Sequence, residues 1–115
     1  MIVKPSSDNH AVCGDGCDSW KLTTGDALSV VENRMPPNTS ETAHHHLEAT
    51  QFFRVLKGIL TVEVEGERHS LKAGEGLEVT PGERHKAINA SGQPCVFLVC
   101  SAPGTEDDRI EAKPR

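Results

Sequence analysis

The sequence predicts an all-β domain, a sandwich or barrel of short strands. From Trp20 onward, short runs of apolar and β-branched residues are separated by turn signals of Gly, Pro, Asn and acidic residues. No segment has the apolar spacing of an amphipathic helix of three turns. About seven or eight strands at roughly ten-residue spacing are typical of sandwiches and barrels. The 10 glycines and 7 prolines suit the turns between them.

The candidate strands follow one another from residue 27 to residue 101. The first covers residues 27–35 and ends at PPNTS, and the others are TQFFRVLKG, ILTVEVEGE, VEGERHSL, LEVTPGERH, HKAINA and QPCVFLVCS. Turns are predicted at Lys57-Gly58, at Glu65-Gly66 and in KAGEG. In ILTVEV, apolar residues at every second position predict a strand with one buried face.

Length and charge limit the classes of protein to which the chain can belong. Its 115 residues are enough for one domain and one core, and a hydrophobic fraction of 36% indicates a soluble protein. The net charge of -5, without a basic cluster, argues against nucleic-acid binding. No apolar run approaches the ~18 residues of a membrane span, and the N-terminus lacks the apolar core of a signal peptide. We expect a cytoplasmic protein that binds neither nucleic acid nor membrane.

The two ends differ from the middle of the chain. We predict a single domain over residues 1–115, with a core at about 20–101, an N-terminal segment at 1–19 and a charged C-terminal tail at 102–115. The first 12 residues or so are polar and without pattern, and the tail is rich in charge. Both are expected to be mobile or only partly docked.

Four cysteines raise the question of disulfides. Cys13 and Cys17, in CGDGC, have a spacing that could close a small loop or hold half of a metal site. No second Cys/His pair with zinc-ribbon spacing follows, and nothing indicates secretion, so free thiols are expected. Cys95 and Cys100 would be about 16 Å apart on a strand, too far to pair. They are predicted to be core thiols.

Three consecutive histidines are the main chemical signal, and their place in mid-chain excludes a purification tag. Side chains alternate along a strand, so His44 and His46 share the inner face while His45 points to the other. Gln51 begins the next strand, and His85 opens another after a turn. Three imidazoles at ~2.0 to 2.1 Å and one amide oxygen would give a divalent ion four protein ligands, leaving room for water or substrate.

Two spaced motifs resemble those of the cupin family. His44-x-His46, four residues, Gln51, six residues and Gly58 are similar to the first cupin motif. The second is matched by Gly74, five residues, Thr80-x-Gly82, two residues, His85, three residues and Asn89. The resemblance covers about residues 29–101 and implies a double-stranded β-helix, the cupin jelly-roll barrel.

The resemblance also implies a metal site and the roles of the matching residues. One divalent ion (Zn, Ni, Mn, Fe or Cu) would be bound inside the barrel by His44, His46, Gln51 and His85. The matching glycines, Gly58, Gly74 and Gly82, would be turn positions, and Asn89 a structural position. Similar small cupins commonly dimerise through edge strands, so a homodimer with a small-molecule ligand is expected.

The chain departs from the cupin motifs at two positions. Thr80 stands where proline is usual, although Pro81 stiffens the same turn. Gln51 stands where glutamate is usual, so a divalent ion with neutral ligands would keep its full +2 charge. This favours Lewis-acid chemistry on a carboxylate, enolate or sugar acid. Cupins acting on unsaturated uronates resemble this ligand set most closely, and three-histidine cupin dioxygenases keep oxygen chemistry open.

Several further residues are weaker candidates for the site. Glu48 is either a base at the cavity mouth or a solvated loop carboxylate. Arg34, Arg84 and His69 either bind an anionic substrate or lie on the surface. Trp20 resembles a tryptophan that packs on the barrel of small cupins, and we expect it to close the core.

Two kinds of function remain open from the sequence. The first is a metal-dependent enzyme, of dioxygenase, isomerase or lyase type, acting on a small carboxylate or sugar-derived substrate. The alternative is a non-catalytic ligand-binding or sensor cupin with a structural metal, favoured by the lack of a dependable general base on the predicted inner face. A metal-free stability module is a third option. No catalytic residue is assigned.

Overall fold

Twelve β-strands and no helix make up the part of the chain that the computed structural model describes, residues 1–14, 16–104 and 109–111. The strands are β1 (His10–Cys13), β2 (Cys17–Thr24), β3 (Ser29–Met35), β4 (Thr39–Ser40), β5 (His44–His46), β6 (Thr50–Lys57), β7 (Ile59–Val64), β8 (Glu67–Lys72), β9 (Gly76–Val79), β10 (His85–Asn89), β11 (Cys95–Ala102) and β12 (Arg109–Glu111). The all-β prediction is confirmed. Within those residues no helix is long and apolar enough to span a membrane.

Two antiparallel sheets face each other. One has the strand order β1-β2-β3-β11-β6-β9, and the other has the order β12-β5-β10-β7-β8, with β4 also paired to β10. Strand β11, near the end of the chain, lies between β3 and β6 and pairs with both. This arrangement is the predicted double-stranded β-helix.

The apolar core fills the space between the sheets. The predicted alternation in β7 is confirmed, because Leu60 and Val62 are fully buried while Ile59 is exposed. Phe53 of β6 and Phe97 of β11 stack with ring centroids 6.2 Å apart. The buried apolar residues are Cys17, Met35, Phe53, Val55, Leu60, Val62, Leu71, Val79, Ala87, Cys95 and Phe97.

Two positions of the second half of the fold hold its turns in place. Asn89 is fully buried, and its Nδ2 donates hydrogen bonds to the carbonyls of Met35, Pro36 and Gln93. Gly58 has φ +82°, and a Cβ there would lie 2.7 Å from the Pro94 carbonyl oxygen. The turn between β6 and β7 therefore requires glycine at this position.

The N-terminal segment contains a strand. Strand β1 pairs with β2 in a hairpin that places Cys13 opposite Cys17, with Cα atoms 4.8 Å apart. The two form a disulfide, so the expectation of free thiols is wrong for this pair, because the hairpin register brings them within bonding range. Cys95 is a buried thiol as predicted, and Cys100 is half-buried. Trp20 lies outside the buried core and packs on His10, with ring centroids 5.5 Å apart.

The C-terminal tail also contributes a strand. Arg109–Glu111 form β12 and pair antiparallel with β5, so these three residues of the tail are docked on the sheet. A short strand at a sheet edge offers unpaired N–H and C=O groups, and the tail satisfies them. The rest of the predicted tail at 105–108 and 112–115 lies outside the described residues.

Candidate metal centre

Three histidines converge between the sheets. His44 and His46 are carried by β5 and His85 by β10, and His85 lies opposite His44 in the antiparallel register. All three are buried, and one ring nitrogen from each lies within 4.8 Å of the others. His45, between them in sequence, is half-buried on the other face. The three-histidine group expected from the sequence is therefore assembled, and it can hold a metal ion.

Backbone hydrogen bonds determine which ring nitrogen of His44 and of His85 carries the proton. Nδ1 of His44 lies 3.0 Å from the Thr42 carbonyl oxygen, and Nδ1 of His85 lies 2.9 Å from the Glu83 carbonyl oxygen. A carbonyl only accepts, so each Nδ1 carries the proton and each Nε2 keeps its lone pair. Nε2 of His85 is buried without a hydrogen-bond partner among the described residues. This is the state that an imidazole needs in order to bind a metal.

Gln51 presents a second unpartnered acceptor from the opposite sheet. Its side chain is buried on β6, and its Nε2 donates to Ser101 Oγ at 3.0 Å. That bond orients the amide, and its Oε1 is buried with no hydrogen-bond partner in the described part of the chain. Buried polar atoms are rarely left unpaired. A metal ion bound by both atoms would satisfy two orphaned acceptors at once, so the chemistry of the two residues fits a divalent ion.

A cavity of about 310 Å³ lies beside the histidines, with His44, His46 and Gln51 on its wall. Glu41 also lines it, from the loop between β4 and β5. Oε1 of Glu41 accepts a hydrogen bond from the Ala87 N–H at 2.8 Å and lies 4.0 Å from His44 Nδ1. Burial raises the pKa of Glu41, and the Ala87 bond and Arg109 only partly oppose this. Glu41 is thus a carboxyl group on the cavity wall that was not among the candidate residues of the sequence.

Arg109 and Glu111 line the same cavity, and neither was a candidate site residue from the sequence. In the β5–β12 pair, Arg109 lies opposite His46 and Glu111 opposite His44. Directly opposed residues point to the same side of a sheet, so both charged residues share the face of the two histidines. The only signal available in the sequence was the alternation of charged and apolar residues in RIE.

Residues 31–101 match the sequence profile described as the Cupin domain. The match includes every residue proposed as a metal ligand and most of both sheets. The chain belongs to the cupin family. The resemblance of the two motifs and the double-stranded β-helix are thereby confirmed.

Two curated proteins are similar to this cupin over part of their length. Tetracenomycin polyketide synthase protein TcmJ of Streptomyces glaucescens is 32% identical over 83 residues, which are 70% of this chain and 56% of that protein. An uncharacterized protein of Aquifex aeolicus is 36% identical over 76 residues, 64% of this chain and 62% of that protein. The cupin thus spans less than two thirds of the length of these curated relatives.

Solved structures agree on the fold. KdgF from Halomonas sp. has a TM-score of 0.82 and 19% identity, with 93% of this chain and 98% of that chain covered. At that identity the likeness shows the fold alone. A cupin sugar phosphate isomerase from Silicibacter pomeroyi has a TM-score of 0.69 and 26% identity, covering 76% of this chain and 60% of that chain.

The weaker candidates from the sequence do not line the described cavity wall. Glu48 is exposed in the loop after β5, and Arg34 is half exposed, 3.9 Å from Asp18 on the other side of the sheet. His69 is half-buried on β8, and Arg84 is half-buried in the loop before β10. The charged residues on the described cavity wall of this cupin are Glu41, Arg109 and Glu111, none of which was a candidate from the sequence.

Burial keeps the histidines of this cupin neutral. It lowers the pKa of His44 from 6.5 to about 3, and the hydrogen bond to Thr42 only partly opposes the shift, while Arg109 lowers it further. Burial is also the main reason why the pKa of His85 is lowered. Neutral imidazoles bind a metal without first losing a proton.

The metal-free cupin is expected to lose stability as the pH falls. In the unfolded chain His44 takes up a proton near its usual pKa of 6.5, whereas in the folded chain it does so only near about 3. The stabilisation is therefore complete above about pH 6.5 and is lost progressively from there down to about pH 3. From pH 7 to pH 5, His44 alone should reduce the free energy of unfolding by about 2 kcal/mol.

Urea unfolding of the EDTA-dialysed protein at the two pH values measures this loss. His44→Gln removes the titrating group and should show a smaller difference between pH 7 and pH 5 than the wild type. An equal difference in both proteins would contradict a buried, neutral His44.

Proposed function

We propose that this cupin is a metal-dependent enzyme of isomerase or lyase type, which moves a proton on a small carboxylate or sugar-derived substrate. The proposal is carried by one observation: His85 Nε2 and Gln51 Oε1 are buried acceptors without a hydrogen-bond partner among the described residues. His85 belongs to the three-histidine group, and Gln51 lines the cavity beside that group. His44, His46, Gln51 and His85 would hold one divalent ion.

The ion would act as a Lewis acid that polarises a carbonyl or carboxylate oxygen of the substrate. The protein keeps that charge undiminished, because the imidazoles are neutral and Gln51 offers an amide where glutamate would offer an anion. The cavity admits a small molecule, since about 310 Å³ is at the lower end of the ~300 to 1,000 Å³ of ligand pockets.

Glu41 is the proposed proton-transfer group. Its carboxyl lines the cavity, and the Ala87 N–H at 2.8 Å holds Oε1 in a fixed orientation. Burial raises the pKa of Glu41, which makes its protonated form more available than that of a solvated glutamate. A carboxyl that both accepts and returns a proton is what an isomerase or lyase needs at the carbon beside a carbonyl.

The comparisons support a small substrate without identifying it. The relative described as a sugar phosphate isomerase is consistent with proton transfer on a sugar-derived molecule. The relative described as a polyketide synthase protein offers a second substrate class, which the small cavity favours less. The homodimer, the cytoplasmic location and the limits of the domain stay predictions.

Removal and return of the metal tests the proposed function. The protein as purified, the EDTA-dialysed protein and the reloaded protein are incubated in D₂O with ketoses, hydroxy acids and unsaturated uronates. We expect deuterium to enter at the carbon next to the carbonyl in the first and third samples and not in the second. Oxygen uptake on β-diketones, thiols or flavonols would instead indicate a dioxygenase. A stoichiometric metal with neither activity would favour the non-catalytic ligand-binding cupin.

A further inference from the structure

We propose that Arg109 and Asn33 make the cavity selective for hydroxy-carboxylates, with Arg109 binding the carboxylate and Asn33 binding a hydroxyl group. The inference rests on the proposed function, because it concerns the substrate of the same cavity. It assigns a specificity-determining role to two residues outside the metal ligands, one of them on the C-terminal strand β12.

The position of Arg109 follows from the strand register. Arg109 lies opposite His46, and Ile110 lies opposite His45. His46 is buried on the cavity wall, so Arg109 faces the cavity, while Ile110 is 42% exposed on the other side. Strand β12 thereby forms part of the cavity wall.

Arg109 carries the permanent positive charge on that wall. Among the described residues that line the cavity, it is the one Lys or Arg, and a guanidinium stays protonated at any working pH. Its contact with Glu111 is 3.5 Å long, between side chains that are 40% and 63% exposed. Charge-assisted hydrogen bonds are shorter, about 2.7–2.9 Å. Ion pairs between exposed side chains contribute little to stability. A carboxylate of the substrate can therefore compete with Glu111 for the planar fork of donors.

Asn33 supplies a buried acceptor on the cavity wall. It lies on β3 between Ser19 of β2 and Phe97 of β11, all of which line the cavity. Its Oδ1 is buried with no hydrogen-bond partner in the described part of the chain. An amide oxygen only accepts, so the group that completes it must be a donor, and a substrate hydroxyl is one.

Serine hydroxyls extend the polar wall next to these residues. Ser29 and Ser101 are buried, lie opposite each other on β3 and β11, and both line the cavity. Hydroxyls donate and accept, so they pair with several hydroxyl groups of one ligand. A guanidinium and several hydrogen-bonding groups on one cavity wall match a molecule with one carboxylate and several hydroxyls. A fatty acid would leave Asn33 unpaired, and a neutral polyol would leave Arg109 without its anion.

Three six-carbon probes separate the two contacts. D-gluconate has a carboxylate and hydroxyls, sorbitol has hydroxyls alone, and hexanoate has a carboxylate alone. Their dissociation constants are measured by calorimetry on the protein as purified and after EDTA dialysis, together with the metal content. We expect gluconate to bind at least about tenfold more tightly than either of the other two, because only gluconate can make both contacts.

Each variant should affect a different pair of probes. Arg109→Gln should weaken the binding of gluconate and hexanoate about tenfold or more and leave the affinity for sorbitol unchanged. Arg109→Lys should restore part of the lost affinity. Asn33→Leu should weaken the binding of gluconate and sorbitol several-fold and leave the affinity for hexanoate unchanged. Arg54→Gln is the matched control, because Arg54 is exposed on β6. This substitution removes the same charge outside the cavity.

Two results would overturn the inference. One is a wild type that does not prefer gluconate to both other probes, and the other is an Arg109→Gln variant that binds gluconate within twofold of the wild type. If the protein takes up no metal but keeps the Arg109-dependent preference, the proposed function fails and the inference stands. If metal and activity are present but the preference does not depend on Arg109, the inference fails alone.

Discussion

His85→Ala is expected to lower the affinity for the metal by more than about a hundredfold, because loss of a ligand should exceed the 10–100-fold effect of losing an outer partner. The wild type should hold about one ion per chain after dialysis and the variant almost none. His85 is the ligand candidate whose Nε2 is most clearly unpartnered among the described residues, at 2% exposure. Elemental analysis and competition with a chromophoric chelator measure the change.

His45→Ala is the matched control for this loss. It removes the neighbouring imidazole of the same run, whose side chain lies on the other face of β5. We expect it to keep the metal content and affinity of the wild type. Equal metal content in the His85→Ala and His45→Ala proteins would contradict the proposed site, and a circular dichroism spectrum confirms that both are folded.

Glu41→Gln is expected to lower kcat by about 10² to 10⁴, the usual contribution of a positioned acid–base group. The amide keeps the size of the side chain and can still accept the Ala87 hydrogen bond, but it cannot transfer a proton. Metal content should stay at the wild-type level. The rate of deuterium incorporation in the metal-loaded protein measures the effect.

Glu48→Gln serves as the control for Glu41→Gln. Glu48 stands between the histidines and Gln51 in sequence and is exposed in the structure. Its substitution should leave kcat within about threefold of the wild type, as is usual for a surface change. A large loss with Glu48→Gln and none with Glu41→Gln would show that the wrong carboxylate has been assigned.

Most of the fold could be predicted from the sequence because its strands carry their own signal. In β7, burial alternates at every second residue, and turn residues such as Gly58 mark the ends of strands. Strands β1, β2, β4 and β12 were not among the predicted strands. β1 and β12 have four and three residues, and each pairs with the edge of a neighbouring strand, which is not visible in the segment itself.

The same distinction applies to the site. His44, His46 and His85 could be selected because strand parity and motif spacing are properties of the sequence. Glu41, Arg109 and Asn33 could not, since their places on the cavity wall depend on a loop, a sheet edge and a pairing of distant strands. The Cys13–Cys17 disulfide was missed in the same way, because it depends on hairpin register as well as spacing.

The central claim is that three imidazoles and one amide oxygen bind a single divalent ion. X-ray absorption spectroscopy of the metal-loaded protein tests it most directly, since it identifies the metal and counts its imidazole ligands. We expect three imidazole nitrogens at ~2.0 to 2.1 Å, with the remaining ligands oxygen. Fewer than three imidazoles, or sulfur ligands at ~2.3 Å, would contradict it.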